Sequence, residues 1–319
     1  MDLNLALLYG GTSSERDVSL KTGEAVKKTI SSFPEFNLFS FDFNNDFDEL
    51  LDFIFLNSID LVFIALHGGD GEDGTVQSFL EKNNIDYTGS NVSASRLAID
   101  KNLTKKICLE NALPTPKWTF LNLSDSAPNL SLLLNEYKKS CVVKPANDGS
   151  SIGMSVLDKD LDEKSILESI NKCKEISSKI IIEEYINGRE LTVGIIDGLA
   201  LPVVEIVPSG EFYDYSSKYA KNGSDYIVPA KLDLELEDEI QEYAETLYEL
   251  IGCRHYARVD FLLDDSGDIY ILEINTLPGL TDTSLLPKAY NEEFKDFCIN
   301  SSKTTYDLLV LEIIKLALK

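Results

Sequence analysis

Cations are in short supply in this 319-residue chain: 29 Lys and Arg stand against 54 Asp and Glu, for a net charge of −25. A field of that sign repels nucleic acid and anionic membrane surfaces, so neither is expected as a partner. Histidine is scarcer still. With only His67 and His255, a zinc or iron centre built on imidazoles is not expected, and any metal should be held by oxygen. The cysteines are five in number (Cys108, Cys141, Cys173, Cys253 and Cys298), scattered and without a C-x-x-C pair. They read as reduced thiols of a cytoplasmic protein. No segment reaches the roughly 18 unbroken apolar residues of a membrane helix. The opening MDLNLALLYGG carries an acid and no basic stretch, so it reads as a first strand and lacks the layout of an export signal. What remains is ordinary globular composition, 44% hydrophobic and 26% charged, at a length that allows two or three domains.

Residues 3–9 and 61–66 are short apolar runs ending at Gly-rich turns, each followed by a helical pattern, at 18–30 and 75–83. That alternation predicts βαβ units on a parallel sheet, in a first domain over 1–100. Residues 93–113 read as one helix stopped by Pro114 and Pro116. Beyond it, strands are expected at 118–121, 141–145, 154–157, 179–184, 190–196 and 199–207, with a helix at 162–174. This is an α+β pattern with antiparallel pairing, divided into domains at 101–186 and 187–319. A polar, tyrosine-rich stretch over 208–222 reads as a surface loop. After it come a strand at 226–229, a helix at 237–251, a two-stranded ribbon over 256–275, and helices near 284–290 and 304–319.

The ribbon ARVDFLLDDSGDIYILEIN, 257–275, is the most informative stretch. A two-residue Ser266-Gly267 loop would pair Asp265 with Asp268 and place Asp260 opposite Glu273. Strict alternation then sets Arg258, Asp260, Glu273 and Asn275 on one face, together with the apolar Ile269 and Ile271. Two carboxylates opposed across strands repel. A hard divalent cation bridging Asp260, Glu273 and the Asn275 amide, Mg²⁺ above all, removes the conflict.

Other constellations are more ambiguous taken singly. In VVKPANDGSSIG, 142–153, a strand ends at Lys144 and enters a small, hydroxyl-rich loop whose N–H groups could cradle phosphate; an ordinary hairpin turn fits as well. In IIIEEYINGREL, 180–191, Glu183 and the backbone of Tyr185 and Ile186 could meet an adenine edge and Glu190 a ribose, or the segment could be a solvated acidic hinge. Glu15, in the loop after the first strand, could pair with a substrate ammonium or merely begin a helix. Gly69 to Gly74 matches G-x-G-x-x-G, but Asp70, Glu72 and Asp73 would face a pyrophosphate with three carboxylates, so a dinucleotide site is rejected there.

Together these residues resemble the D-alanine–D-alanine ligase family of the ATP-grasp superfamily. The likeness runs, in the family's order, through GGTSSERDVSL at 10–20, LHGGDGEDGTVQ at 66–77, the DK at 100–101, VVKPANDGSSIGMS at 142–155, EEYINGRELTV at 183–193, FYDYSSKY at 212–219, ARVDF at 257–261 and LEINTLPGLTDTSLLPK at 272–288. It implies an ATP-grasp fold of α/β and α+β parts preceded by a parallel-sheet N-terminal domain. It also implies ATP-dependent joining of two D-alanines through an acyl phosphate, in cell-wall peptidoglycan synthesis. The resemblance assigns ATP to Lys101, Lys144, Ser151, Glu183, Tyr185, Ile186, Glu190 and Lys218, and two Mg²⁺ or Mn²⁺ ions to Asp260, Glu273 and Asn275. The first D-alanine's ammonium falls to Glu15. The second's carboxylate falls near Lys218, Ser284 and Leu285, with His67 alongside. Glu15, Ser150 and Tyr219 would link to hold the tyrosine-rich loop closed, and Arg258 with the Gly279 N–H would stabilise an oxyanion. A homodimer is implied by the family alone. Tyr185 stands where many members carry tryptophan, and Tyr219 fits the loop pattern associated with a dipeptide product in place of a D-alanyl-D-lactate ester.

Overall fold

Four consecutive apolar residues, Leu5 to Leu8, are each at most 1% exposed, the burial of a strand covered on both faces. They form the middle of β1 (Leu3–Gly10), which lies between β2 (Phe36–Phe43) and β3 (Leu61–Ile64) in a parallel sheet completed by β4 (Asp86–Tyr87). The computed structural model describes residues 3–125, 127–158, 161–208, 223–281, 283–298 and 302–319. Helices α1 (Arg16–Ile30), α2 (Phe47–Leu56) and α3 (Thr75–Lys82) alternate with the strands, as the βαβ pattern requires. Strand β2 and helix α2 were not anticipated. The helix is announced by Asp46, whose side chain accepts the Glu49 N–H at 2.9 Å.

The single helix expected over 93–113 is two, α4 (Val92–Ile99) and α5 (Lys101–Glu110). Asp100 is extended, at φ −86° and ψ 95°. Its carboxylate caps the new helix by accepting the Asn102 and Leu103 N–H groups at 3.1 and 3.2 Å. A continuous apolar period hid this break, which makes Lys101 the first residue of a fresh helix.

A second, antiparallel sheet has the order β5 (Trp118–Asn122), β8 (Lys179–Glu184), β6 (Cys141–Pro145), β7 (Ser155–Leu157). Helices α6 (Leu130–Tyr137) and α7 (Glu163–Lys174) cover one face, where Leu133, Ile166 and Ile170 meet Val143, Ile180 and Ile182. Alternation therefore sends Lys144 and Glu183 to the other face.

The third sheet orders β12 (Ser224–Ile227), β11 (Val204–Pro208), β9 (Gly188–Ile196), β13 (Tyr256–Asp264) and β14 (Ile269–Asn275), with β10 (Leu199–Ala200) paired to β9. The strand expected at 199–207 is thus split into β10 and β11. Helix α8 (Leu234–Ile251) packs Ile240, Ala244 and Leu247 among Val193, Ile195 and Val259. The last helices, α9 (Leu285–Phe294) and α10 (Thr305–Ala317), return to the first sheet: Leu286, Leu309 and Ile313 belong to the same apolar cluster as Leu5 and Phe63. The C-terminal end of the chain is thereby tied to its first strands, and α9 is held beside the carboxyl ends of the parallel strands.

Candidate active site

The ribbon β13–β14 brings Asp260 opposite Glu273 and Arg258 opposite Asn275, but by a different route from the one expected. Its turn is one residue longer. Asp264 N–H donates to Asp268 O at 3.0 Å, and Asp265, Ser266 and Gly267 lie between them, with Gly267 left-handed at φ 89°. That sets Leu263 against Ile269 and Phe261 against Ile271; the register then shifts past Leu272 before Asp260 meets Glu273. The longer turn and the bulge cancel. The bulge also reverses the alternation, so Ile269 and Ile271 lie with Ile274, Val259 and Phe261 in the core and not on the acidic face.

On that face the charges are matched. Arg258 holds Asp260 with two hydrogen bonds, Nε to Oδ1 at 2.8 Å and a terminal nitrogen to Oδ2 at 2.7 Å. Thr192, paired with Asp260 across β9, adds its hydroxyl to Oδ1 at 2.6 Å. Lys101 lies 3.0 Å from Glu273 and donates to the Asp148 carbonyl at 2.7 Å. Burial presses the Lys101 ammonium down, but Glu273, Asp148 and Glu183 outweigh it and its pKa stands above the ordinary value. Glu183, 3% exposed, receives Lys144 on Oε1 at 2.5 Å and Lys105 on Oε2 at 3.0 Å. Burial pushes its carboxyl up, and the two ammoniums pull it below the usual range. Lys105 was not singled out from the sequence. The available signal was its spacing of four from Lys101, which puts both on one face of α5.

Two cavities meet here. One of about 190 Å³ lies between the second and third sheets and is lined by Lys101, Lys144, Ser151, Glu183, Tyr185, Ile186, Glu190, Asp260 and Glu273. The other, about 570 Å³, reaches the parallel sheet and is lined by Glu15, His67, Ser150, Arg258, Asn275, Gly279, Ser284 and Leu285. Lys101, Gly149, Ser150 and Glu273 line both. Lys218 and Tyr219 lie outside the described residues.

Glu15 sits at the cap position of α1, yet its carboxylate does not cap the helix; Oε1 accepts the Ser150 hydroxyl across 135 residues of chain. Ser150 and Ser151 are both left-handed, at φ 54° and 58°, the bend that presents the loop to both cavities. The Gly68-containing loop fits beneath Glu15. A Cβ on Gly68, itself at φ 65°, would stand 2.6 Å from Glu15 Oε2. The missing side chain of this glycine is what permits close approach to that carboxylate. His67 shares a hydrogen bond from Nε2 with the Thr22 hydroxyl at 2.9 Å, its Nδ1 being 3.8 Å from Glu72. The Ser284 hydroxyl accepts the Thr281 N–H at 3.0 Å.

Among the described residues no three His, Cys, Asp or Glu side chains gather as a metal cluster. Asp260, Glu273 and Asn275 nevertheless place two carboxylates and an amide oxygen on one ribbon face, an all-oxygen set that suits a hard divalent cation.

Two antiparallel sheets facing each other across a lysine-lined cleft, behind a parallel N-terminal sheet, define an ATP-grasp protein. The family described as D-ala D-ala ligase C-terminus matches residues 107–298, and the one described as D-ala D-ala ligase N-terminus matches 46–90. The D-alanine–D-alanine ligase of Syntrophotalea carbinolica is 41% identical over 90% of both chains. That of Aquifex aeolicus is 40% identical over 92% of this chain and 97% of its own. The crystal structure of the Bacillus anthracis ligase complexed with ATP superposes with a TM-score of 0.82 at 31% identity, covering 99% of this chain and 97% of that one. The VanG D-Ala:D-Ser ligase of Enterococcus faecalis reaches 0.80 at 26%, covering 99% and 100%. This chain belongs to the D-alanine–D-alanine ligase family.

Proposed function

We propose that the protein joins two D-alanines at the expense of ATP, forming D-alanyl-D-alanine, ADP and phosphate for peptidoglycan synthesis. The observation that carries this reading is the junction of the two cavities at Lys101, Ser150 and Glu273, where a phosphate from one side and a carboxylate from the other can meet.

An amide cannot form by expelling oxide from a carboxylate, so the carboxylate is first activated. Glu15 holds the first D-alanine's ammonium, and that substrate's carboxylate oxygen attacks the γ-phosphorus. The bond to the ADP oxygen breaks and an acyl phosphate forms. Lys101 and Lys144, with Lys218 of the tyrosine-rich loop, spread the charge of the phosphates. The loop from Gly149 offers the Ser151 N–H. Glu183, Tyr185 and Ile186 take the adenine edge and Glu190 the ribose. Asp260, Glu273 and Asn275 supply the oxygen donors for Mg²⁺ or Mn²⁺, which when bound neutralises phosphate charge. The second D-alanine lies near His67, its carboxylate by Ser284, Leu285 and Lys218. Its deprotonated amine attacks the acyl carbon, Arg258 and the Gly279 N–H stabilise the oxyanion, and phosphate leaves. The Glu15–Ser150 contact extended to Tyr219 would keep the site closed against water.

The same reading places domains at 1–100, 101–186 and 187–319, a homodimer, and a cytoplasmic location. Among the described residues no helix is long and apolar enough to cross a membrane. The test is ADP release with ATP and D-alanine, using L-alanine as control: release with D-alanine alone supports the reading, and none overturns it. ADP release that depends on added D-lactate would instead indicate an ester product.

A further inference from the structure

Nothing in the mechanism above uses Lys105, an ammonium only 1% exposed in α5. Burial at that depth is costly unless the charge is paired, so its neighbours must account for it. Its Nζ lies 3.0 Å from Glu183 Oε2 and donates to the Thr115 hydroxyl at 2.8 Å and the Pro116 carbonyl at 3.4 Å. The Trp118 ring centre is 5.8 Å away. Thr115 passes the connection on, donating to the Ile271 carbonyl at 2.8 Å, beside the bulge that aims Glu273. One ammonium therefore ties β8 of the second sheet to β14 of the third. Lys105 does not line the smaller cavity, whereas Glu183 does.

We propose that Lys105 is a positioning residue that sets base selectivity: it clamps Glu183 from behind as a charged acceptor, so that the cavity receives an amine-bearing purine edge and rejects a carbonyl-bearing one. An ionised carboxylate only accepts hydrogen bonds, and two ammoniums leave it spare lone pairs. Adenine offers an amine donor at the position where guanine offers a carbonyl oxygen. A protonated Glu183 would be a donor as well and lose that distinction. Burial pushes the Glu183 carboxyl towards protonation, and Lys105 heads the charges that oppose it, ahead of Lys144. The inference rests on the nucleotide reading of the smaller cavity.

Lys105→Met keeps most of the aliphatic stem and removes the charge. Initial rates with ATP and with GTP at saturating D-alanine test the proposal. The expected result is a fall in kcat/KM for ATP of about tenfold to hundredfold, carried by KM, the range a hydrogen bond to an ionised group is worth. The rate with GTP changes little, KM for D-alanine stays constant, and Lys105→Arg restores part of the preference. An unchanged ATP-to-GTP ratio, or a D-alanine KM that moves with that for ATP, overturns the proposal and leaves the function standing. A wild-type protein with no nucleotide-dependent ligation overturns both. Lys105→Gln, a donor without charge, gives the same readout if the methionine variant does not fold; if neither folds, Lys105 belongs to the scaffold alone and the proposal fails.

Discussion

The two lysines lining the smaller cavity, Lys101 and Lys144, each meet a carboxylate, while the larger cavity adds Lys21 and Lys288, which have no carboxylate within ion-pairing distance among the described residues. Lys288 is half-buried, on α9, with its Nζ 5.1 Å from the Tyr226 ring centre. Paired ammoniums are held in place before a ligand arrives but offer little net charge. Unpaired ones attract a carboxylate at the expense of order. On the proposed reading the two cavities use their lysines differently: the paired ones give fixed position for phosphoryl transfer, and Lys21 and Lys288 each offer an ammonium that a substrate carboxylate can engage.

The sharpest break of this contrast is in the paired cavity. Glu273→Ala leaves Lys101 buried without its carboxylate partner and removes a proposed oxygen donor, and Lys144→Ala removes the ammonium proposed to meet phosphate while Glu183 keeps Lys105. Each should lower ADP release by about a hundredfold to a thousandfold, with the circular dichroism spectrum retained. An unchanged rate at either position would contradict the site assignment. Gly68→Ala probes the packing against Glu15, which lines the larger cavity, since an added Cβ would meet Glu15 at a left-handed backbone position. It should cost about 1–3 kcal/mol of stability and raise KM for D-alanine, seen by thermal melts and initial rates; no change in either would show that Glu15 can give way.

A third effect lies outside both cavities and calibrates them. His255, whose Nδ1 accepts the Gly89 N–H at 3.0 Å, has its pKa lowered to about 4 by burial first and then by Arg254. Asp197 opposes the shift and Lys319 adds to it. Below the ordinary value of 6.5 the unfolded chain binds a proton that the folded protein refuses. Stability present above that pH is therefore lost as pH falls towards about 4. The loss is on the order of 1 kcal/mol after solvent screening. Melting temperatures across that window should fall less in His255→Asn, which tolerates the same left-handed backbone; equal slopes would clear His255. The smallest effect is at the unpaired lysine. Lys288→Met should raise the acceptor KM by about threefold to fivefold and leave KM for ATP alone. With D-alaninamide as acceptor the difference should vanish, and its persistence would mean that Lys288 does not sense a carboxylate.

Much of the fold and site was legible because strand and helix periods report burial directly. The parallel strands at Leu3 and Leu61 and the second-sheet strands follow from alternation and apolar runs, whereas the face shared by Lys144 and Glu183 needed the pairing of β6 with β8. The ribbon is more instructive, since Asp260 faces Glu273 only through the compensation of a longer turn by a bulge at Leu272, and neither leaves a local mark. Asp100 shows the same limit: its cap interrupts a helix whose apolar period runs on unbroken.

Local order therefore determined which segments become strands and helices, and which side chains could carry phosphate, metal and amino-acid chemistry, because those depend on neighbours a few residues away. Only the tertiary structure decided that Lys105 stands behind Glu183 and that two cavities share Lys101 and Glu273. The cost of burying a charge is set by what surrounds it in space, and those partners come from distant parts of the chain.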